Sequence, residues 1–207
     1  EAGHGDRGVG PEELLDGGRQ QVGLGDQAIA VGGVRGEVPE RGADGAAQEA
    51  AGGRPLDQAQ VVIVGNSPTV APFTECFELI RDRLGDELHS LWFNAQCERT
   101  NTILGREFTH WCGPPSVVER FGGAAVHYPP GAFGQNNLDV AERIVEHVRE
   151  QVPAGARVAE FYAGVGAIGL SVLPPLSPLR VNEVSPQSLQ GLPLGLDALE
   201  PAERNKI

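Results

Sequence analysis

The chain has 207 residues and a formal net charge of -12, with 28 acidic side chains against 16 basic ones. That balance excludes the broad basic face of a strong nucleic-acid binder and leaves any such contact to a local patch or to sequence outside the chain. No apolar run approaches the roughly 20 residues of a membrane span, so a membrane partner is not expected.

Residues 1–60 hold 15 of the 29 glycines and no Phe, Trp or Tyr. A segment without large apolar anchors has little to offset the entropy of ordering its backbone, so this stretch is expected to be low-complexity and without a packed core. It carries 5 basic and 11 acidic side chains and the remainder 11 and 17, so each part stands at -6.

From Val61 the pattern becomes periodic. Val61-Val-Ile-Val64 is a short β-branched run and Gly65-Asn-Ser-Pro68 a turn. Val70, Phe73, Phe77, Ile80 and Leu84 recur three or four apart, which predicts a helix over 70–84 ended by Gly85. Residues 88–133 read as short strands at Ser90–Phe93, Glu107–Trp111 and Ala124–Tyr128, before Pro129-Pro-Gly131 breaks the chain.

Asn137 is placed to cap a helix whose buried face is Leu138, Ala141, Ile144, Val145, Val148 and Val152. A strand over 157–162 follows, then a Gly-rich turn, a short helix near 167–173 and a second strand over 179–183. Ser185-Pro186 then opens another helix. Strand, glycine turn, helix, strand, helix is the opening of a doubly wound α/β sheet with adjacent parallel strands.

Gly164-Val-Gly166-Ala-Ile-Gly169 has the spacing of a nucleotide-binding turn, and Glu183 follows about 20 residues later, where an acid accepts bonds from ribose hydroxyls. The sign of the charge bears on the ligand. A dinucleotide brings a pyrophosphate to the helix start, which Glu160 would repel; S-adenosylmethionine brings a sulfonium and an ammonium, which an acid suits. The bland alternative has Glu160 facing solvent and the glycines making only a tight turn. An oxidoreductase fragment binding NAD stays open at this point, as does a truncated gene product without independent function.

Cys76, Cys97 and Cys112 form no CxxC pair, and the five histidines show no metal spacing, so neither a disulfide framework nor a metal site is expected. A reducing, cytoplasmic setting fits them. The chain does not start with Met, which leaves a targeting segment open.

Four segments in order carry a resemblance. Asn101-Thr-Ile-Leu-Gly105, Phe133-Gly-Gln135-Asn-Asn137, Glu160-Phe-Tyr-Ala-Gly-Val-Gly-Ala-Ile-Gly-Leu170 and Asn182-Glu-Val-Ser-Pro186 resemble elements of the RNA uracil-C5 methyltransferases. The second resembles that family's F-x-Q-x-N element and the third its D-L-Y-C-G-x-G motif, with Glu160 and Ala163 as departures. The match runs from about Val61 to Leu192.

The resemblance implies an α/β chain: a small α+β region at 61–133, then the first part of a Rossmann-like methyltransferase domain at 134–207. It implies S-adenosylmethionine as cofactor, a tRNA or rRNA substrate, and Gln135, Tyr162, Gly164, Gly166 and Glu183 as cofactor-binding positions. In this chemistry a thiolate attacks carbon 6 of uracil and a carboxylate later removes the proton at carbon 5. The family's Asp-Pro-Pro motif, nucleophilic cysteine and terminal base are lacking here, so no residue is assigned a catalytic role.

Overall fold

The computed structural model describes residues 21–24, 27–30, 58–173, 175 and 177–207. Most of the glycine-rich first 60 residues, and the expectation that they lack a packed core, lies outside the described residues. Two short strands within that stretch, β1 (Gln21–Leu24) and β2 (Gln27–Ala30), pair antiparallel and were not anticipated.

The described residues form two compact units divided after Pro114, whereas the sequence reading places the join at 133–134. In the first unit, strand β3 (Ala59–Gly65) runs parallel to β4 (Leu88–Ala95), and β5 (Glu107–Cys112) pairs antiparallel with β4. Parallel neighbours need a crossover, and helix α1 (Thr74–Leu84), entered through a 3-10 turn at Ala71–Phe73, supplies it. The expected stripe holds: Phe73, Phe77 and Ile80 bury against Val61, Ile63, Leu91 and Phe93, with Val70 and Leu84 at the margin. Gly85 ends the helix at φ 47°. Gly65 is needed where it stands, because a β-carbon there would lie 2.6 Å from the Phe73 ring and 2.8 Å from that of Phe93.

Asn94 is buried on β4 and folds the following loop back on the strand. Its Nδ2 donates to the carbonyls of Gly105 (3.0 Å) and Glu107 (2.9 Å), and its Oδ1 accepts from the Gly105 N–H at 2.7 Å. The Asn101–Gly105 segment is thereby tied to the sheet, with Ile103 and Leu104 exposed.

The second unit opens with a hairpin, β6 (Val117–Phe121) and β7 (Ala124–Tyr128), joined by Gly122 and Gly123. Both glycines have positive φ, 55° and 91°, as a two-residue hairpin turn requires. β6 was not anticipated. Helix α2 (Leu138–Gln151) is capped as expected, with Asn137 Oδ1 accepting from the Val140 N–H at 3.0 Å. Its buried face is Ala141 and Val145, with Leu138, Val148 and Val152 packed at the edges of two clusters. Ile144 is a correction: it falls on the flank of the stripe and is 43% exposed.

Strand β8 (Val158–Phe161), helix α3 (Gly169–Val172) and strand β9 (Leu179–Asn182) follow in the expected order, and the two strands pair in parallel. Helix α4 (Ser188–Asp197) starts three residues after Ser185, whose hydroxyl accepts a long 3.4 Å bond from the Ser188 N–H; a short α5 (Pro201–Arg204) ends the chain. Gly191 and Gly195 of α4 let β7 approach closely. A β-carbon at Gly191 would meet the His127 carbonyl at 2.2 Å, and one at Gly195 the Ala125 carbonyl at 3.2 Å. The hairpin belongs to this unit because Phe121 and Val126 share a core cluster with Ala141, Val145 and Val165.

Candidate functional site

The register of β8 and β9 sets the site. Phe161 pairs with Asn182, and the Ala163 N–H donates to the Asn182 carbonyl at 3.1 Å, so both strands end at the same edge. The glycine turn follows one strand and Glu183 the other, at the carboxyl ends of parallel strands, where ligands bind in open α/β sheets.

Across that edge the Gly164 N–H donates to Glu183 Oε2 at 2.6 Å, while the N–H groups of Val184 and Ser185 donate to Oε1 at 2.6 and 2.7 Å. The amides of Ser185, Val184 and Gly164 together hold this carboxyl below the usual glutamate range. An ionised carboxylate offers about four acceptor positions. Three are taken, so a ligand with two vicinal hydroxyls must displace one amide to be held by both.

The turn itself is left-handed at three residues: Tyr162 at φ 58°, Gly164 at 60° and Gly166 at 86°. Glycine adopts this conformation freely, but tyrosine does so at a cost of about 1–3 kcal/mol, a strain that clusters at ligand sites. Tyr162 is also 86% exposed. The two glycines serve differently. Nothing stands within 4 Å of a β-carbon on Gly164, so that side of the turn is open; one on Gly166 would press on Leu192 and Leu170 at 2.8 and 3.0 Å.

Glu160 does not face solvent. Its carboxyl packs where a Gly169 side chain would be, and Oε2 is buried without a well-formed hydrogen bond. Burial pushes the group up to about 7, with the nearby Gly169 amide opposing only in part. Near neutral pH it is therefore a weaker anion than the sequence reading assumes. The turn residues from Tyr162 to Gly169 still carry no Lys or Arg, which leaves the open side free of the cation a pyrophosphate would favour.

Gln135 makes none of the hydrogen bonds given above for the turn and Glu183. It is exposed on the segment between β7 and α2, beside Phe133, which is 75% exposed. Its connection to the turn runs through the core: Tyr128 and Ala132 pack on the cluster that also holds Val165. Tyr128 carries no motif signal, and the part played by Gly169 in seating Glu160 is equally invisible in spacing. Among the described residues no group of three His, Cys, Asp or Glu is placed to hold a metal ion, and no helix is long and apolar enough to cross a membrane.

No protein-family model matches the chain. It is similar to a curated but uncharacterized RNA methyltransferase of Protochlamydia amoebophila, 37% identical over 111 residues, which is 54% of this chain and 29% of that protein. A second such protein, from Parasynechococcus marenigrum, is 29% identical over 116 residues, 55% of this chain and 25% of its own length. The chain thus spans less than a third of these relatives. Among solved structures, the Pyrococcus abyssi tRNA (uracil-54, C5)-methyltransferase in complex with S-adenosyl-L-homocysteine shares the fold, with TM-score 0.56 and 16% identity over 70% of this chain and 34% of that one. The fold is accordingly α/β and covers part of that structure's Rossmann-like architecture. The curated relatives it matches are RNA methyltransferases, and this chain is similar to a part of them.

Proposed function

We propose that the second unit binds S-adenosylmethionine and forms part of an RNA uracil-C5 methyltransferase acting on tRNA or rRNA. The 2.6 Å bond between the Gly164 N–H and Glu183 carries this reading. It puts an acid and an open glycine turn at one sheet edge, the pairing a nucleoside with free ribose hydroxyls calls for. The residues fit the cofactor. Gly164 leaves room for its approach, Glu183 offers acceptors to the ribose, and exposed Phe161 and Tyr162 offer apolar surface beside it.

When bound, the cofactor would supply an electrophilic methyl group. This chain's residues would hold and orient it: Gly164 and Gly166 by their conformation, Glu183 by hydrogen bonds, Tyr162 by its projecting ring, and Gln135 by its amide. The uracil specificity rests on the four-segment resemblance. No residue of this chain is assigned the thiolate or the base that this chemistry needs, since Cys76, Cys97 and Cys112 all precede the glycine turn in sequence, away from the nucleophile's place in the resemblance. Their unpaired state fits a cytoplasmic setting.

A titration of the full chain with S-adenosylhomocysteine, and separately with NAD, tests the cofactor assignment. Saturable binding of the former and none of the latter is expected; the reverse would transfer the site to a dinucleotide.

A further inference from the structure

Gln135 and the glycine turn are distant in sequence, and Tyr128 touches the surroundings of both. Tyr128, the last residue of β7, sits at the core cluster containing Val165, the residue between Gly164 and Gly166. Its ring also underlies the next segment. A β-carbon on Gly134 would lie 3.0 Å from Tyr128 Cε1 and 3.2 Å from Cδ1, so the segment beside Gln135 passes close to the ring. The segment is pinned at both ends. Pro129 abuts Gly191 of α4, where a β-carbon would meet its Cδ at 2.7 Å, and Asn137 caps α2. Between these anchors, the atoms nearest to a β-carbon on Gly134 are all in the Tyr128 ring.

We propose that Tyr128 is a positioning residue that sets the height of the Phe133–Gln135 segment over the core cluster that also carries the glycine turn. The ring, rather than the hydroxyl, does this, since its carbon atoms meet Gly134. Burial, aided by the charge of Glu119, pushes the hydroxyl up to about 12, so the side chain stays neutral at any working pH. The same contact makes the fit at Gly134 tight, so that an added β-carbon would require the ring or the segment to give by a few tenths of an ångström. The inference deepens the cofactor reading and rests on it for its functional meaning.

Two measurements on the full chain keep the two claims apart. The first is nuclear magnetic resonance of the ligand-free protein. The ring-current shift at Gly134 and the backbone order of Gly134, Gln135 and Asn136 should be lost in Tyr128→Leu and restored in Tyr128→Phe. The second is affinity for S-adenosylhomocysteine, expected to fall roughly 2- to 10-fold in Tyr128→Leu through lost preorganisation and to recover in Tyr128→Phe. Gly134→Ala, which lifts the segment without opening the core, should show the same loss and decides the matter if Tyr128→Leu fails to fold. Unchanged order at Gly134 and Gln135 in a folded Tyr128→Leu or in Gly134→Ala overturns the proposal. If the parent chain binds no S-adenosylhomocysteine, the cofactor reading fails and the resonance data alone decide the role of Tyr128.

Discussion

The Glu183 carboxylate and the Gly164 backbone N–H, 19 residues apart in sequence, meet at 2.6 Å across the ends of two parallel strands. The bond couples ligand recognition to the shape of the turn. Whatever takes up the carboxylate's remaining acceptor position also feels the glycine loop, and displacing the Gly164 amide would let the loop adjust.

Glu160 gives the second unit a pH dependence. Its folded pKa of about 7 lies above the ordinary 4.5, so the native state holds a proton that the unfolded chain releases in between. The contribution to stability is therefore greatest below about 4.5, declines as pH rises toward 7, and is flat beyond. Glu160→Gln should raise the unfolding temperature at pH 8 and change it little at pH 4.5. Thermal unfolding of both proteins across that range is the check, and an equal shift at both ends would show that Glu160 titrates normally.

Gly191→Ala should destabilise the second unit by roughly 1–3 kcal/mol, the range of overpacking. The new methyl meets a backbone carbonyl, that of His127 at 2.2 Å, which cannot rotate away. Urea unfolding measures this. A neutral result would mean that β7 and α4 are not in the contact described.

Asn94→Ala should cost roughly 1–3 kcal/mol or more, because it strands the Gly105 N–H and two carbonyls at once. Amide exchange at Gly105 should rise ahead of that in the strands. If Gly105 stays protected in the variant, another group holds the loop.

Much of this architecture was legible in the sequence, for identifiable reasons. The Phe73–Phe77–Ile80 stripe, the Asn137 cap and the order of β8, turn, α3 and β9 follow from periodicity and turn chemistry acting locally. β6 escaped because its inward face is Val117, Glu119 and Phe121; a half-buried acid in the middle breaks the alternation that marks a strand. The Gly122-Gly123 pair was the signal available. Ile144 was assigned to the core because periodicity cannot tell the centre of a stripe from its flank. In the site, spacing indicated Glu183 and the turn, yet the seating of Glu160 on Gly169 and of Gly134 on Tyr128 depends on tertiary contacts that no local pattern encodes.

By itself this chain is not expected to form 5-methyluridine. Its three cysteines, Cys76, Cys97 and Cys112, all precede the glycine turn, and the resemblance gives none of them the nucleophile's place. Incubation with labelled methyl donor and unmodified tRNA or rRNA should give no product above a heat-killed control. Product from the isolated chain would mean that Cys76, Cys97 or Cys112 acts as the nucleophile.

The most direct test of the central claim is a calorimetric titration of the parent chain and Glu183→Ala with S-adenosylhomocysteine, each shown to be folded by circular dichroism. The parent should bind saturably, and the variant should lose roughly tenfold or more in affinity, the scale of a charge-assisted hydrogen bond. Equal affinity in the two proteins would remove Glu183 from the site, and with it the account of how the sheet edge holds its ligand.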